Sequence, residues 1–154
     1  MTAKPSPISW VRMLCPDVNV LLYAFRRDSA DHNPYAQWLQ RAMTGYEPVG
    51  VSELVLSGVV RLATNHRIYR QPSSTADVLD FCHAVRSGPS AVPLRPGAKH
   101  WEIFSGLCRA VSATANDVPD AYHAALAIEH GATWITNDRG YAQFPNLLWR
   151  SPID

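Results

Sequence analysis

The stretch "NDVPDAYHAALAIEHGATWITNDRGY", residues 116–141, sets the reading of the whole chain. Its first half is alanine-rich, carries Pro119 near the start and closes on Gly131, the pattern of a helix with its start and stop marked. "ATWIT" follows, a short β-branched and aromatic run that reads as a strand. "NDRGYAQF" then reads as a loop with one turn. Acids stand at the junctions: Asp117 and Asp120 open the helix, Asp138 lies just past the strand, and the apolar stretch between has almost none. Either they cap and solvate element ends, or they converge on something positive.

The same alternation continues outward. "MLCPDVNVLLYAF" (13–25) reads as a buried strand ending near Asp17, then a helix over about 18–25. "PYAQWLQRAMTG" (34–45) reads as a helix with Pro34 in its first turn and Gly45 at its far end. "YEPVGV" is a strand, and "SELVLSGVVRLATN" (52–65) a helix with Ser52 as N-cap and Glu53 in its first turn. "SSTADVLDFCHAVRSG" (73–88) restarts with Ser74 as cap and Asp77 three residues on. "AVPL" is a strand, and "PGAKHWEIFSGLCRAVSA" a helix whose Trp101, Phe104, Leu107 and Val111 share a face. "LLWR" (147–150) closes the series as a strand. Short apolar strands alternating with longer helices predict an α/β fold: a mainly parallel sheet between two helical layers. In such sheets ligands bind beyond the carboxyl ends of the strands, where Asp17 and Asp138 fall.

Length and composition agree with one domain. The 154 residues are 47% hydrophobic, enough for a single sizeable core. A formal net charge of +1 decides nothing globally about nucleic acid or membrane; any such partner must be recognised by a local patch. Cys15, Cys82 and Cys108 form no C-x-x-C pair; an odd count of buried thiols fits a reducing cytoplasm. No apolar run approaches the roughly 20 residues of a membrane helix. Residues 1–12 read as a flexible lead-in, with the single domain over 13–154 and Met13 as an alternative start.

Four acids stand out at element junctions: Asp17, Glu53, Asp120 and Asp138, with Asp117 as a fifth candidate. Singly, each of the helix-start acids has a plain role as cap or dipole partner. Asp17 is harder to place that way, because a carboxylate next to a buried strand is costly without compensation. Together, carboxylates around one pocket would repel one another and raise their own pKa values, a conflict that a divalent cation resolves. Oxygen donors select Mg²⁺ or Mn²⁺. Phosphate loops, dinucleotide turns and serine-hydrolase elbows are absent. His123 and His130 share a helix face without nearby cysteine pairs, and read as surface or partly buried imidazoles rather than zinc ligands.

"PDVNVLLYAF", "SELVLSGVVRLATN" and "NDVPDAYHAALAIEHGATWITNDRGYAQFPNLLW" resemble PIN domains, and among them the VapC toxins of type II toxin–antitoxin systems. The resemblance runs from Met13 to Trp149. It implies an α/β/α sandwich and a metal-dependent endoribonuclease that leaves a 5′-phosphate and a 3′-hydroxyl. By motif, Asp17, Asp120 and Asp138 would hold Mg²⁺ or Mn²⁺. Glu53 would be a further ligand or would help deprotonate the attacking water. Asp117 would support them or cap its helix, and Asn19 would position Asp17. A co-encoded antitoxin and a toxin homodimer are also implied. For the RNA, the candidate cations are Arg26, Arg27, Arg61, Arg67, Arg70 and Arg139, with Tyr69 as a stacking surface and single-stranded or looped RNA as the substrate. Two other readings stay open: an inert PIN-like binding module, and a Mg²⁺-dependent small-molecule phosphatase. The latter usually needs a second Asp two residues after the first, where this chain has Asn19.

Overall fold

The computed structural model describes residues 12–153. Of the lead-in expected over residues 1–12, only Arg12 lies within them. The element order is β1 (Leu14–Pro16), α1 (Val18–Phe25), α2 (His32–Thr44), β2 (Val49–Ser52), α3 (Glu53–Ala63), α4 (Thr75–Arg86), β3 (Ala91–Leu94), α5 (His100–Val111), α6 (Asp117–Glu129), β4 (Thr133–Ile135), a 3-10 turn over Arg139–Gln143, and β5 (Trp149–Arg150). The five strands form one sheet in the order β3-β2-β1-β4-β5, all pairs parallel.

Strand β1 is only "LCP", yet it occupies the centre, with all three residues buried. A strand covered on both faces needs a continuous apolar run rather than alternation. The chain leaves β1 toward β2 and β3, then returns across it to β4 and β5. Right-handed crossovers therefore put α1–α4 on one face and α5 and α6 on the other. The helix contacts follow that division: α1 packs on α2 and α3, α3 on α4, and α5 on α6. The reversal of direction at β1 and β4 opens a crevice at the carboxyl ends of those two strands, the usual ligand position in such sheets.

Packing is closest where side chains are smallest. In α6, Ala121, Ala124, Ala125 and Ala127 are buried, so the helix lies against the sheet with little side chain between. Across the sheet, Gly58 of α3 faces Val18 of α1; a Cβ there would stand 2.9 Å from Val18 Cγ2. Gly131 ends α6 with φ 61°, the left-handed conformation that suits glycine.

Some local readings change. Ser74 caps α4 as its spacing predicts, accepting from Asp77 N at 3.1 Å. Ser52 occupies the cap position of α3 but makes no capping hydrogen bond. Helix α2 starts two residues before Pro34, at His32. In α5, Trp101 does not join the buried face; it is 71% exposed, while His100 turns inward and donates from Nε2 to the Tyr122 carbonyl. The sheet side of α5 is set by α6, and periodicity alone places a stripe only to within a residue. Cys15 and Cys82 are buried, but Cys108 is only half-buried; all three are free. Burial pushes the Cys15 thiol up to about 12, so it is an inert core group.

Candidate active site

Asp17 follows β1 directly and is the N-cap of α1. Its carboxylate is buried, 5% exposed, and held on both oxygens. Oδ1 accepts from Val18 N at 2.6 Å, and Oδ2 accepts from the Thr136 hydroxyl at 2.6 Å. Thr136, fully buried, stands one residue beyond β4. Its Oγ also accepts from Asp138 N at 3.0 Å. One threonine thus fixes the Asp17 side chain and the backbone that presents Asp138. The Asp138 carboxylate is exposed and caps the 3-10 turn by accepting from Gly140 N at 2.8 Å.

That turn swings Tyr141 into the core, where it packs against Trp134 and Phe144. Its hydroxyl donates to Asp120 Oδ1 at 3.1 Å. Asp120 lies in the first turn of α6, which brings the amino end of that helix to the carboxyl edge of the sheet. Asp117 opens the same helix in place of capping it; Asn116 holds the cap position. Its oxygens meet Thr114 N and Gln143 Nε2, both at 3.4 Å.

Asp17, Asp120 and Asp138 act on one another electrically. Burial pushes the Asp17 carboxyl up to about 6; the bonds from Thr136 and Val18 oppose this, and the charges of Asp120 and Asp138 add to it. Burial also raises Asp120, opposed by Tyr141 and reinforced by Asp138 and Asp117. Among the described residues no Lys or Arg pairs with any of them; the ion pairs there are Arg26–Asp28 and His130–Glu129. Glu53 follows β2 at the start of α3, at the same sheet edge, but is exposed and is not among the charges that raise Asp17 or Asp120. Asn19 makes no hydrogen bond to Asp17; Val18 and Thr136 do that work instead.

The donor set suits a hard cation: oxygen only, mutually repelling, without a compensating positive side chain. Among the described residues no three His, Cys, Asp or Glu groups are drawn together into a formed metal cage. Magnesium does not require one, because it commonly keeps several waters and takes one or two carboxylates.

Among the arginines, Arg27, Arg61, Arg67, Arg70 and Arg139 are exposed. Arg26 is not: it is buried and fully engaged. Its guanidinium donates to both carboxylate oxygens of Asp28, the nearer pair at 2.5 Å, to Gln71 O at 2.8 Å and to Ser73 Oγ at 3.0 Å. It also lies 3.8 Å from the Tyr69 ring centroid. Arg26 therefore clamps the loop over 71–73 to the end of α1 rather than reaching for a phosphate, and it covers one face of Tyr69. His123 departs from expectation too: it is buried beside Trp134, its Nδ1 without a partner, and burial pulls its pKa down to about 4.

The sequence reading did not single out Thr136 or Tyr141. Thr136 carried a faint signal, a hydroxyl two residues before Asp138 at a strand end. Tyr141 looked like any turn aromatic.

A five-stranded parallel sheet between helical layers, with carboxylates at the carboxyl ends of its central strands, defines an α/β class of domain. Within that class the chain belongs to the PIN domain family, which matches residues 14–147. Ribonuclease VapC43 of Mycobacterium tuberculosis is 44% identical over 142 residues, spanning 92% of this chain and 97% of that protein. Ribonuclease VapC25 of the same organism is 37% identical, spanning 92% of this chain and all of that one. Among solved structures, VapBC2 from Rickettsia felis bound to a promoter DNA fragment has a similar fold, with a TM-score of 0.67 at 17% identity, covering 90% of this chain and 98% of that one. Mycobacterium tuberculosis VapC20, a sarcin–ricin loop cleaving toxin, gives 0.60 at 16% identity, covering 88% and 98%.

Proposed function

We propose that this chain is a Mg²⁺- or Mn²⁺-dependent endoribonuclease toxin that acts on single-stranded or looped RNA in the cytoplasm. The observation that carries the reading is the mutual electrostatic influence of Asp17, Asp120 and Asp138 near the carboxyl ends of β1 and β4, where no Lys or Arg of the described residues pairs with them. Relatives named VapC ribonucleases support the reaction class.

Asp17, Asp120 and Asp138 would hold the metal, with Glu53 and Asp117 at its margin. When bound, the ion supplies charge neutralisation at the phosphate and a more acidic water. The protein's part is positioning. Thr136 and Val18 fix both oxygens of Asp17, so the carboxylate keeps its orientation while the substrate arrives. Tyr141 fixes Asp120 in the same way. Glu53, exposed at the rim, is free to take a proton from the attacking water. Arg27, Arg61, Arg67 and Arg70 are the cations left to meet the RNA backbone, and Arg139, beside Asp138, is a further cation for the RNA.

A protein antitoxin and a second copy of this chain are the proposed partners. Solved toxin–antitoxin complexes of this fold support the first. An apolar hollow between α2 and α4, lined by Leu39, Met43, Phe81 and Val85, offers a seat for apolar partner side chains. Described residues include no helix long and apolar enough to cross a membrane.

The test is cleavage of end-labelled structured RNAs by purified, partner-free protein with Mg²⁺ or Mn²⁺, with EDTA, and with Asp17→Asn. Metal-dependent cuts that vanish in the folded variant support the nuclease. No cut on any RNA, together with no metal binding by calorimetry, leaves an inert binding module instead.

A further inference from the structure

Next to the acid cluster lies a cavity that the catalytic reading does not use. It encloses about 280 Å³ and is lined by Thr136, Asn137, Arg139, Trp149 and Ser151. Small-molecule pockets begin at about 300 Å³, so the space suits one compact planar group rather than a longer segment. Thr136 is common to both sites: its hydroxyl holds Asp17, and the residue also walls the cavity.

The lining has unspent hydrogen-bonding capacity. Among the described residues, neither the Asn137 amide nor the Arg139 guanidinium has a hydrogen bond or ion pair, and both side chains are exposed. Ser151 Oγ accepts from Ile153 N at 3.2 Å and keeps its own proton to donate. Trp149 is half-buried, fixed by β5 pairing with Trp134, and gives the cavity one aromatic wall. A rigid indole beside free amide and guanidinium groups is what an unpaired base needs: a stacking surface and an edge reader.

From this we infer that the cavity is a base subsite, taking one unpaired purine next to the scissile phosphate, stacked on Trp149 and read at its edge by Asn137 and Arg139. The inference rests on the ribonuclease reading and adds a specificity determinant to it. A purine is favoured over a pyrimidine on two grounds. It covers more of the indole, and its N7 lies beside O6 or N6, the pairs that Arg and Asn read in bidentate fashion. Base and phosphate are then joined through one wall, since Thr136 spans from the cavity to Asp17.

Two measurements test this. The first is the cut-site distribution on a randomised single-stranded RNA library. Wild type is expected to show a purine at one fixed position beside each cut. Asn137→Ala and Arg139→Ala should lower that preference at least about fivefold, and Trp149→Leu should raise KM about tenfold. Arg86→Ala, at the end of α4 on the opposite sheet edge, should keep the preference. Unchanged preference in all three cavity variants overturns the inference. The second reads binding without cleavage: the Trp149 indole N–H resonance in Asp17→Asn protein, assigned by its loss in Trp149→Leu and titrated with GMP and with UMP. A larger shift with GMP supports the subsite. No shift with either, or equal shifts, overturns it. A GMP-selective shift, together with no cleavage of any RNA by the wild-type protein, sinks the ribonuclease reading and leaves the purine site standing.

Discussion

Helix α1 carries a buried charge at each end, and the surroundings treat the two differently. At its carboxyl end, Arg26 is met by a carboxylate, a carbonyl, a hydroxyl and an aromatic face. The pairing in turn holds the Asp28 carboxyl below its usual range. At its amino end, burial raises the Asp17 pKa; two neutral donors oppose this and two repelling carboxylates add to it. A charge that the fold compensates in full holds the fold together. A charge left uncompensated at a crevice is waiting for something from outside.

The largest effect that would break the comparison is on catalysis. Asp17→Asn keeps shape and removes charge; RNA cleavage is expected to fall by about 10³-fold or more, worth roughly 4 kcal/mol, while circular dichroism stays native. Cleavage at the wild-type rate in a folded variant would sink the assignment. Arg26→Met should do the opposite. Loss of the clamp leaves Ser73 and Gln71 without their donor and is expected to cost about 2 kcal/mol of stability by urea titration. The rate per folded molecule should stay within about threefold; a far larger fall would mean that Arg26 reaches the RNA after all.

Acid titration sharpens the same contrast. Asp17 rises from 3.8 to about 6 in the folded protein, so folding takes up a proton between those values. Its contribution therefore favours the folded state at low pH and is lost as pH rises through about 6, at most about 3 kcal/mol. Asp120 acts in the same direction. His123 opposes them: lowered from 6.5 to about 4, it adds stability above 6.5 that is lost as pH falls through about 4. Asp17 and His123 oppose each other between pH 4 and 6, so the wild-type profile should be shallower there than either group alone would make it. Asp17→Asn should uncover a steep loss on acidification, and His123→Phe a gain. Parallel profiles in all three proteins would show that neither group titrates as its surroundings imply. Added Mg²⁺ should stabilise wild type above pH 6 and leave Asp17→Asn unmoved in thermal melts.

Smaller still is the effect of removing the bridge. Thr136→Val deletes one donor to Asp17 and one acceptor for Asp138 N, and is expected to lower cleavage about tenfold. Because the lost bond favours the charged form, the alkaline-going limb of the pH–rate profile should move up. A profile that keeps its position would limit Thr136 to holding the backbone.

Legibility in the sequence followed the range of the interaction. Helices such as "SSTADVLDFCHAVRSG" were readable because Ser74 and its partner Asp77 are three residues apart. The position of Asp17 was readable because "MLCP" can only be a strand buried on both faces, with a carboxylate at its exit. Arg26 was misread as a free cation, since two of its partners, Gln71 and Ser73, lie 45 and 47 residues away. Trp101 shares a helical face with Phe104, Leu107 and Val111 in the sequence yet is exposed in the fold, because which stripe of α5 turns inward depends on how α6 packs against it.

By itself, the sequence determined the alternation of short strands and helices, and with it a parallel sheet whose carboxyl edge carries Asp17 and Asp138. Those are consequences of apolar periodicity and local capping, which act within a few residues. Only the tertiary structure decided that Thr136 ties Asp17 to Asp138 across 119 residues of chain, that Tyr141 steadies Asp120, and that Asn137, Arg139 and Trp149 share a cavity beside them. The reason is the crossover that puts β4 next to β1. Until those two strands pair, nothing in either segment marks the other as its neighbour.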